Sequence, residues 1–544
     1  GIQRYAKSYV EKNYRKNPQK ITKAVEAYLS GLNAFVAAGT TPLEFTLLGI
    51  PKREYRIEDL VSISAYMSYT FSNAVLQDPL ISHIQKNLGS SYLKDLALNW
   101  PEGDTQIKVS KQHNDTDLEL ATFFAEMENV LSRIPPFFGS NSWVISGSHS
   151  KSGKVILAND PHIGFAAPST WYEAHMKTPD WELYGHHLAG IPFAILGHNR
   201  RMAWGVTMLQ NDDLDYFRER TNPANPDQVW FRDHWEDLKI IEETISVKGG
   251  EDRPLRVRIS RHGPIINDVL ESFEKIESQP VALAWEMLSN FENSTEQVFY
   301  ELGHSESLED SRAAASKLHA PGLNINYGDA EGNIAWWAAA RLAIRPAHVN
   351  SFIILDGASG KDEVLGYRDF SENPQSENPQ SGILYNGNNQ PGDTGSGLEP
   401  GYYAPEERAH RIGQLLNPVK KNWTADEMKS IQLDTNNPRI QNFRKHFLTL
   451  ISENSARSEV FRNAAEVFKN WDGMHDIKAA GPTIFHRLFY HLSLGIFADE
   501  IEEKGTLVLL NVSLIDKSIP LLLNNPQSPW WDNVDTPDIR ETQA

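Results

Sequence analysis

Several serine and lysine residues lie close together in the segment Gly147–Lys154, which reads GSHSKSGK. The spacing of Ser148 and Lys151 is that of S-x-x-K enzymes, in which the serine is the nucleophile. Those enzymes take a second motif, K-[ST]-G, from a distant segment, whereas here both motifs share Lys151. A phosphate-binding loop is excluded, because five residues separate the glycines and Val155 stands where a Ser or Thr is required. We interpret the segment as a polar turn, with an acyl-enzyme on Ser148 as the alternative.

Ser140 follows Gly139 at the point where helical sequence gives way to strand-like sequence, and taken alone the Gly-Ser-Asn segment is an ordinary loop. An amidase that uses one residue as both nucleophile and base needs a hydroxyl or thiol and a free amine on that residue. Only a chain-terminal Ser, Thr or Cys offers this combination. The chain has no cysteine, and an α-amine titrates near about 7.7–8.0, close to a neutral working pH. Ser140 can act in this way only if the Gly139–Ser140 bond is cut; otherwise the segment is an ordinary turn.

Hydrophobic periodicity predicts the elements that must position these residues. Apolar residues recur every three or four positions from Tyr5 to Ala38 and again at 57–88 and 116–133, which indicates amphipathic helices. Short β-rich runs follow to about 345, interrupted by a helical pair at 294–318, and helices dominate again beyond 400. The duplicated SENPQ at 371–381 is interpreted as a solvated loop. Because the strands cluster instead of alternating with helices, we predict a layered α+β fold.

Composition excludes several classes of function. The 544 residues include 52 Lys and Arg against 71 Asp and Glu, a net charge of −19, which repels phosphate backbones and anionic lipid. Nucleic acid is therefore not an expected partner. The absence of cysteine excludes disulfides and thiolate metal sites, and no apolar run approaches the about 18 residues of a membrane span. Metalloprotease, α/β-hydrolase and dinucleotide motifs are missing as well, so no organic cofactor is expected.

An ordered set of segments nevertheless resembles one known family. The set comprises Gly139–Trp143 (GSNSW), Asn159–His162 (NDPH), Gly197–Asn199 (GHN), Ala203–Thr207 (AWGVT), Asn211–Asp215 (NDDLD), Asn324–Asp329 (NINYGD), Gly332–Ile334 (GNI), Ser381–Pro391 (SGILYNGNNQP) and Trp471–Gly473 (WDG). Together they resemble the penicillin acylase family of N-terminal-nucleophile amidohydrolases, and the resemblance covers nearly the whole chain. It implies an αββα sandwich fold.

By this resemblance, the chain cuts itself at Gly139–Ser140 into a helical α segment, 1–139, and a β segment, 140–544, which form one α/β heterodimer. The Ser140 hydroxyl then attacks the amide of a small N-acyl substrate, and its own amine relays the proton through water. The backbone N–H of Met208 and the side-chain amide of Asn324 are expected to stabilise the oxyanion. His162 matches a position beside the nucleophile. Arg345 matches the arginine that orients the asparagine and the α-amine.

The resemblance also implies a substrate pocket and a structural metal. Met67 and Phe71 match the α-segment side of the acyl pocket, and Ile163 and Leu196 stand where relatives that cleave penicillin G have phenylalanines. Branched aliphatic side chains there predict a preference for aliphatic acyl groups. A structural calcium ion is expected on three residues of the β segment and one of the α segment, namely Asp212, the carbonyl of Leu214, Asp215 and Gln77. Gln77 stands where the family usually has Glu.

Several alternatives stay open from the sequence alone. Within the same family, the substrate is a penicillin-type amide or an acyl-homoserine lactone, a bacterial quorum signal. A non-catalytic periplasmic protein that binds carbohydrate or peptide is the alternative from another class, suggested by the 14 Trp residues and the acidic surface. The family resemblance further predicts a periplasmic or secreted location and additional sequence before Gly1 and after Ala544.

Overall fold

In the computed structural model, residues 1–16, 18–98, 137–270, 273–293, 295–395, 397–416, 420–453, 458–534 and 536 are described. The helix predicted at 116–133 lies outside them. The α-helices that bear on the site, or that surround it, have the following bounds: α1 Ile2–Val10, α2 Lys20–Ala38, α3 Leu43–Leu48, α4 Ile57–Phe71, α5 Ala74–Asn87, α6 Ser90–Lys94, α7 Phe273–Ile276, α8 Glu286–Ser289, α9 Thr295–His304, α10 Leu308–Ala315, α11 Glu407–Leu416, α12 Ala425–Gln432, α13 Arg439–Glu453, α14 Glu459–Asn470, α15 Gly481–Asn511 and α16 Leu514–Leu523.

The strands fall where β-rich sequence was predicted, between the two helical parts of the chain. Their bounds are β1 Phe137–Ile145, β2 Ile156–Ile163, β3 Trp171–Lys177, β4 Glu182–Leu188, β5 Leu196–His198, β6 Met202–Met208, β7 Leu214–Arg218, β8 Arg220–Asn222, β9 Asn225–Phe231, β10 His234–Asp237, β11 Lys239–Ile245, β12 Arg253–Ile259, β13 Val281–Trp285, β14 Leu323–Asp329, β15 Ile334–Ala339, β16 Ala343–Ile344, β17 Leu355–Asp356, β18 Gly366–Tyr367, β19 Gln375–Glu377 and β20 Ile383–Asn386.

Two of the sheets form the centre of the molecule. A seven-stranded sheet has the order β19-β15-β14-β6-β5-β4-β3, and a three-stranded sheet has the order β2-β1-β20. Both are antiparallel throughout. Strand β1, which carries Ser140, is the middle strand of the smaller sheet, so its backbone is held from both sides over residues 142–145.

The two sheets are locked together by Asn159 of β2. Its amide accepts a hydrogen bond from Val206 N–H (2.8 Å) and donates to the Val206 carbonyl (3.0 Å) and to the Asn141 carbonyl (2.9 Å). The sheets approach so closely here that a Cβ on Gly205 would lie 2.8 Å from Asn159 Cβ. The Asn159 side chain thus fixes β1, which carries Ser140, β2 and β6, which ends at Met208, relative to one another.

Helices cover the outer face of each sheet. Trp143 of β1 packs in a buried cluster with Ile412 of α11 and Met428 of α12, on the far side of the three-stranded sheet. On the far side of the seven-stranded sheet, Ala314 of α10 and Val298 of α9 belong to the main core. The order of layers is helix, sheet, sheet, helix, which confirms the predicted αββα sandwich.

One local prediction was partly wrong. The repeat at 371–381 was interpreted as a solvated loop, but residues Gln375–Glu377 form β19, the edge strand beside β15. Glu377 accepts hydrogen bonds from Arg312 (2.6 Å) and from Trp337 Nε1 (2.8 Å). The polar composition gave no sign of this, because strand pairing at an edge uses main-chain groups.

Membrane-spanning potential was also examined over the described residues. No single helix there combines the length and apolar character needed to cross a bilayer. The pair α15 and α16 meets the criteria only together, and the two helices are bent by 108° relative to each other.

Candidate active site

Ser140 lies in β1 with only 3% of its surface exposed. The preceding residue, Gly139, has a φ of +141°, a conformation that side chains with a Cβ rarely adopt. A Cβ on Gly139 would lie 2.8 Å from Arg408 Nη2 and 3.0 Å from Asn388 Oδ1. The residue before the candidate nucleophile is therefore restricted to glycine both by its backbone conformation and by its two polar neighbours.

Asn388 contacts Ser140 with both ends of its side-chain amide. Its Oδ1 accepts the Ser140 N–H at 2.7 Å, and its Nδ2 lies 3.3 Å from Ser140 Oγ and donates to the Met208 carbonyl at 2.9 Å. Asn388 is fully buried and has a φ of +65°, which asparagine tolerates better than most residues. If the Gly139–Ser140 bond is cut, the same Oδ1 faces the new α-amine.

Arg408, in the first turn of α11, contacts the backbone of Ser140. Its Nη1 donates to the Ser140 carbonyl at 2.9 Å and to Asn141 Oδ1 at 2.7 Å, while Nη2 donates to Asn388 Oδ1 at 2.8 Å. Burial lowers the pKa of Arg408 to about 10, against the opposing effect of Asp160. The guanidinium thus stays positive near neutral pH and holds Asn388 and the backbone of Ser140 in register.

Met208, the last residue of β6, presents its backbone to the same place. The neighbouring Leu209 N–H donates to the Gly322 carbonyl, and hydrogen bonding alternates along an antiparallel pair. The Met208 N–H therefore points away from β14. On its other side, β5 pairs only with Ala203 and Trp204 and does not reach Met208. A developing oxyanion could accept this N–H, as the sequence predicted.

Asn324 lies in β14, opposite Thr207 of β6, and is buried. Its Nδ2 donates to Thr207 Oγ1 at 3.0 Å and to the Met208 carbonyl at 3.1 Å, and its Oδ1 accepts from Trp336 Nε1 at 3.0 Å. Trp336 fixes which way the amide is turned. Asn324 and Asn388 thus donate to the same Met208 carbonyl, and of the two only Asn388 also contacts Ser140 in the hydrogen bonds described.

His162 lies directly across the β1–β2 ladder from Gly139. Its Nε2 is 3.0 Å from Asp160 Oδ2 and 3.5 Å from Asn141 Nδ2, and about a third of its side chain (32%) is exposed. It therefore stands beside the Gly139–Ser140 bond, on the solvent side, with an acidic partner that orients its ring.

A mainly apolar cavity of about 700 Å³, counted to its open mouth, has Ser140 in its wall. Its walls come from strands of both sheets and from α4 and α9, and are formed by Ser64, Met67, Phe71, Ser140, Pro161, Trp171, Leu188, Ile191, Ile195, Val206, Thr207, Met208, Thr295, Glu296, Phe299, Pro321 and Leu323. Ser140 therefore lines a pocket whose wall is mainly apolar, with Ser64, Thr207, Thr295 and Glu296 as the other polar residues.

The structure places two of the four predicted pocket residues in the wall of this cavity. Met67 and Phe71, four residues apart on α4, both line the cavity. Leu196 and Ile163 are not among its described walls; Ile195 lines it instead, and Leu196 packs in the core. Ile195 directly precedes β5, which begins at Leu196. Successive side chains of an extended backbone point to opposite sides, so Ile195 faces the cavity and Leu196 faces the core. Ile163 lies beyond the irregular register between Phe137 and Gly139.

Arg345 is held elsewhere than the resemblance implied. Its guanidinium donates to Asp215 Oδ2 at 2.9 Å and lies 3.5 Å from Asp212 Oδ2, and all three side chains are buried. The side chain that contacts Ser140 and an asparagine amide is Arg408. The resemblance pointed to Arg345, which directly follows β16, and nothing in the sequence singled out Arg408 as the arginine that contacts Ser140.

Comparisons with known proteins agree with this geometry. A model of the family described as penicillin amidase matches residues 1–544. The chain belongs to the penicillin amidase family. It is 24% identical to an acyl-homoserine lactone acylase, QuiP, of Pseudomonas aeruginosa, over 98% of this chain and 66% of that protein. It is 27% identical to a penicillin G acylase of Escherichia coli, over 63% of this chain and 40% of that protein.

Among solved structures, a thermostable penicillin G acylase from Alcaligenes faecalis has a TM-score of 0.57 and 22% identity. The match covers 65% of this chain and 64% of that one. At this identity the likeness establishes the penicillin amidase fold alone. Because the chain spans about two thirds of the length of QuiP from Pseudomonas aeruginosa, the activity and substrates of the whole protein are proposals.

The predicted calcium ligands Asp212 and Asp215 each keep one buried oxygen, Asp212 Oδ2 and Asp215 Oδ1, without a hydrogen-bond partner among the described residues. Asp212 and Asp215 face the guanidinium of Arg345, which supplies the positive charge between them. Gln77 is buried on α5, but its neighbour Asp78 is the residue linked to Asp212, through the Tyr402 hydroxyl (2.7 and 3.4 Å). Among the described residues, no group of three His, Asp or Glu side chains is arranged to hold a metal ion. Calcium remains a prediction, and no chemical step below uses it.

We expect Arg345→Met to lower the free energy of unfolding by about 3–5 kcal/mol, because it leaves Asp212 and Asp215 buried without their cation. A chelator should lower the thermal midpoint of the unchanged protein only if Ca²⁺ also occupies this cluster. Denaturant unfolding and calorimetry with and without EDTA measure both effects. Arg312→Met, which removes a more exposed pair with Glu377, is the control and should cost about 1 kcal/mol or less. A loss of stability in Arg345→Met no larger than that in Arg312→Met would contradict the role assigned to Arg345.

Proposed function

We propose that this protein hydrolyses the amide bond of N-acyl compounds, with Ser140 as the nucleophile once it has become a chain terminus. One observation carries the proposal: the buried Ser140, preceded by a left-handed glycine, lies at an apolar cavity while Asn388 binds both its N–H and its hydroxyl. Family membership supports amide hydrolysis as the reaction class. The hydroxyl, the nitrogen that becomes an amine and the acyl pocket therefore meet at one residue.

The first step we propose is self-cleavage. The Ser140 Oγ attacks the carbonyl carbon of Gly139, the C–N bond breaks and an ester joins the two residues. Water then hydrolyses the ester, which leaves a carboxylate on Gly139 and a free amine and hydroxyl on Ser140. Segments 1–139 and 140–544 stay associated as an α/β heterodimer, because their buried residues belong to one continuous core.

In turnover, the Ser140 Oγ attacks the substrate carbonyl and its proton passes to the α-amine, which is basic enough near neutral pH (about 7.7–8.0 for an ordinary α-amine). The amine then protonates the leaving nitrogen, the substrate C–N bond breaks and an acyl ester remains on Ser140. Water releases the acid and restores the hydroxyl. The Met208 N–H faces the oxyanion, and Asn388 Oδ1 binds the amine as it gains charge.

The cavity favours acyl groups with aliphatic chains. Seven of its 17 lining residues are Leu, Ile, Val or Met, two are Pro and three carry aromatic rings, so twelve of the 17 are apolar. Each buried CH₂ group of a ligand contributes about 0.8 kcal/mol. Together with the names of the relatives, this supports acyl-homoserine lactones as substrates ahead of penicillin-type amides. The periplasmic or secreted location and the processing from a zymogen are part of the same proposal and rest on the family.

The test uses mass spectrometry to measure the acid and the amine released from each of three substrates. These are an aliphatic N-acyl-homoserine lactone, a phenylacetyl amide and penicillin G. The unchanged protein should hydrolyse the aliphatic amide with the highest kcat/KM. Ser140→Ala should release nothing, whereas Ser148→Ala, in an exposed turn with Ser146, should act as the unchanged protein does. Activity that survives Ser140→Ala but is lost in Ser148→Ala would favour an acyl-enzyme on Ser148. Binding without any product would favour a non-catalytic binding protein.

A further inference from the structure

One carboxyl group lies in the wall of the otherwise apolar acyl cavity. Glu296, in the first turn of α9, lines the cavity and is only 4% exposed. Its Oε1 has no hydrogen-bond partner among the described residues. The described walls of this cavity contain no Lys, Arg or His, so the carboxyl has no cationic partner there.

The groups around Glu296 account for only part of its hydrogen-bonding capacity. The hydroxyl of Ser64, on the facing side of α4, bonds to the carboxyl and opposes the effect of burial, which raises the pKa of Glu296. The hydroxyls of Tyr5, on α1, and of Tyr14, in the helical turn that follows it, are close enough to interact electrostatically with it. A position in the first turn of a helix suits an acidic residue, but it does not satisfy Oε1.

A buried carboxyl oxygen without a partner is unfavourable, whereas leucine or methionine at this position would complete the apolar wall. A ligand that brings a hydrogen-bond donor to Oε1 removes that penalty, and a ligand with a plain hydrocarbon chain leaves it in place. Sites built to bind a hydroxyl or ammonium group reject analogues that lack the group for this reason. Glu296 therefore suits substrate discrimination better than packing.

We propose that Glu296 makes the enzyme selective for acyl groups that carry a hydrogen-bond donor, a hydroxyl or an ammonium group, on the acyl chain. The inference rests on the proposed amide hydrolysis and specifies its substrate class. The hydrogen bond from Ser64 leaves Oε1 as the carboxyl oxygen that a donor group on the ligand would satisfy. The aliphatic walls bind the rest of the chain, so the preferred substrate combines a hydrocarbon chain with one donor group.

The test uses N-acyl amides of one chain length with one leaving group, either unsubstituted or with a hydroxyl or an amine at successive carbons. At the carbon that reaches Glu296, kcat/KM for the hydroxyl and amino compounds should exceed that of the plain chain by about 10- to 100-fold. In Glu296→Leu the preference should reverse. Glu301→Gln, on the same helix but bonded to Lys317 outside the cavity, should keep the original preference.

Glu296→Gln decides the question if the leucine variant does not fold. An amide can still accept a hydroxyl proton but cannot neutralise an ammonium group, so the preference for the amino compounds should fall at least 10-fold relative to the hydroxyl compounds. Preference for the plain chain at every position, or a ratio that Glu296→Leu and Glu296→Gln leave unchanged, would overturn the inference. If no compound in the series is hydrolysed by the unchanged protein, the proposed amidase function fails instead.

Discussion

The Ser140→Ala variant should remain one chain over residues 1–544 and should hydrolyse no N-acyl amide, whereas the unchanged protein should be cut once. Self-cleavage needs the Ser140 hydroxyl to reach the Gly139 carbonyl, and alanine has no oxygen to form the ester. Turnover needs the same oxygen and, in addition, the amine that the cut releases. One substitution therefore removes both reactions, and the expected loss is complete for cleavage.

Intact-mass measurement and N-terminal sequencing check this result, with Ser140 expected as the new N-terminal residue. Ser142→Ala is the matched control, because Ser142 lies two positions further along β1, is fully buried and donates only to the Ala158 carbonyl among the contacts described. It should be cut normally. Gly139→Ala should be cut slowly, since its Cβ would meet Arg408 and Asn388. An uncut wild-type chain with full amidase activity would refute self-processing.

The sequence predicted the change from helices to strands and the layered fold, because both depend on local patterns. A switch from helical to strand-like periodicity near residue 139 precedes β1, and strands that cluster in sequence predict packed sheets. Met67 and Phe71 share a helix face by their spacing alone. The pairing of β14 with β6, more than a hundred residues apart in the chain, was not available from periodicity, because it is set by tertiary packing.

The sequence did not resolve which of two adjacent or similar residues lies at the site. Ile195 and Leu196 are neighbours of the same type, and only the register of the strand decides which one lines the cavity. Arg345 and Arg408 are both arginines beside a polar cluster, and long-range folding brings only Arg408 to Ser140. Asn388 lies in a segment that the family resemblance included, yet its left-handed backbone, which turns the side chain toward Ser140, has no sequence signature beyond an Asn-rich turn.

Asn388→Ala should lower kcat by about 10²- to 10³-fold while KM changes little. The Asn388 Oδ1 binds the nitrogen of Ser140, and in the cut enzyme that nitrogen gains charge only as it takes the proton from Oγ. The interaction is therefore stronger in the transition state than in the bound substrate. Asn388 is not among the described walls of the cavity, so substrate binding should be little affected.

The rate should be measured on the cut fraction, because the same hydrogen bonds position Ser140 for self-cleavage. Asn373→Ala is the control: Asn373 is equally buried and donates to the Ala338 and Ala340 carbonyls (3.0 and 2.8 Å), so its loss should lower stability and leave kcat unchanged. Asn324→Ala, measured beside it, determines whether the asparagine on Met208 also stabilises the oxyanion. A rise in KM with unchanged kcat in Asn388→Ala would instead mean that Asn388 contacts the substrate, and that another group binds the charge on the Ser140 amine.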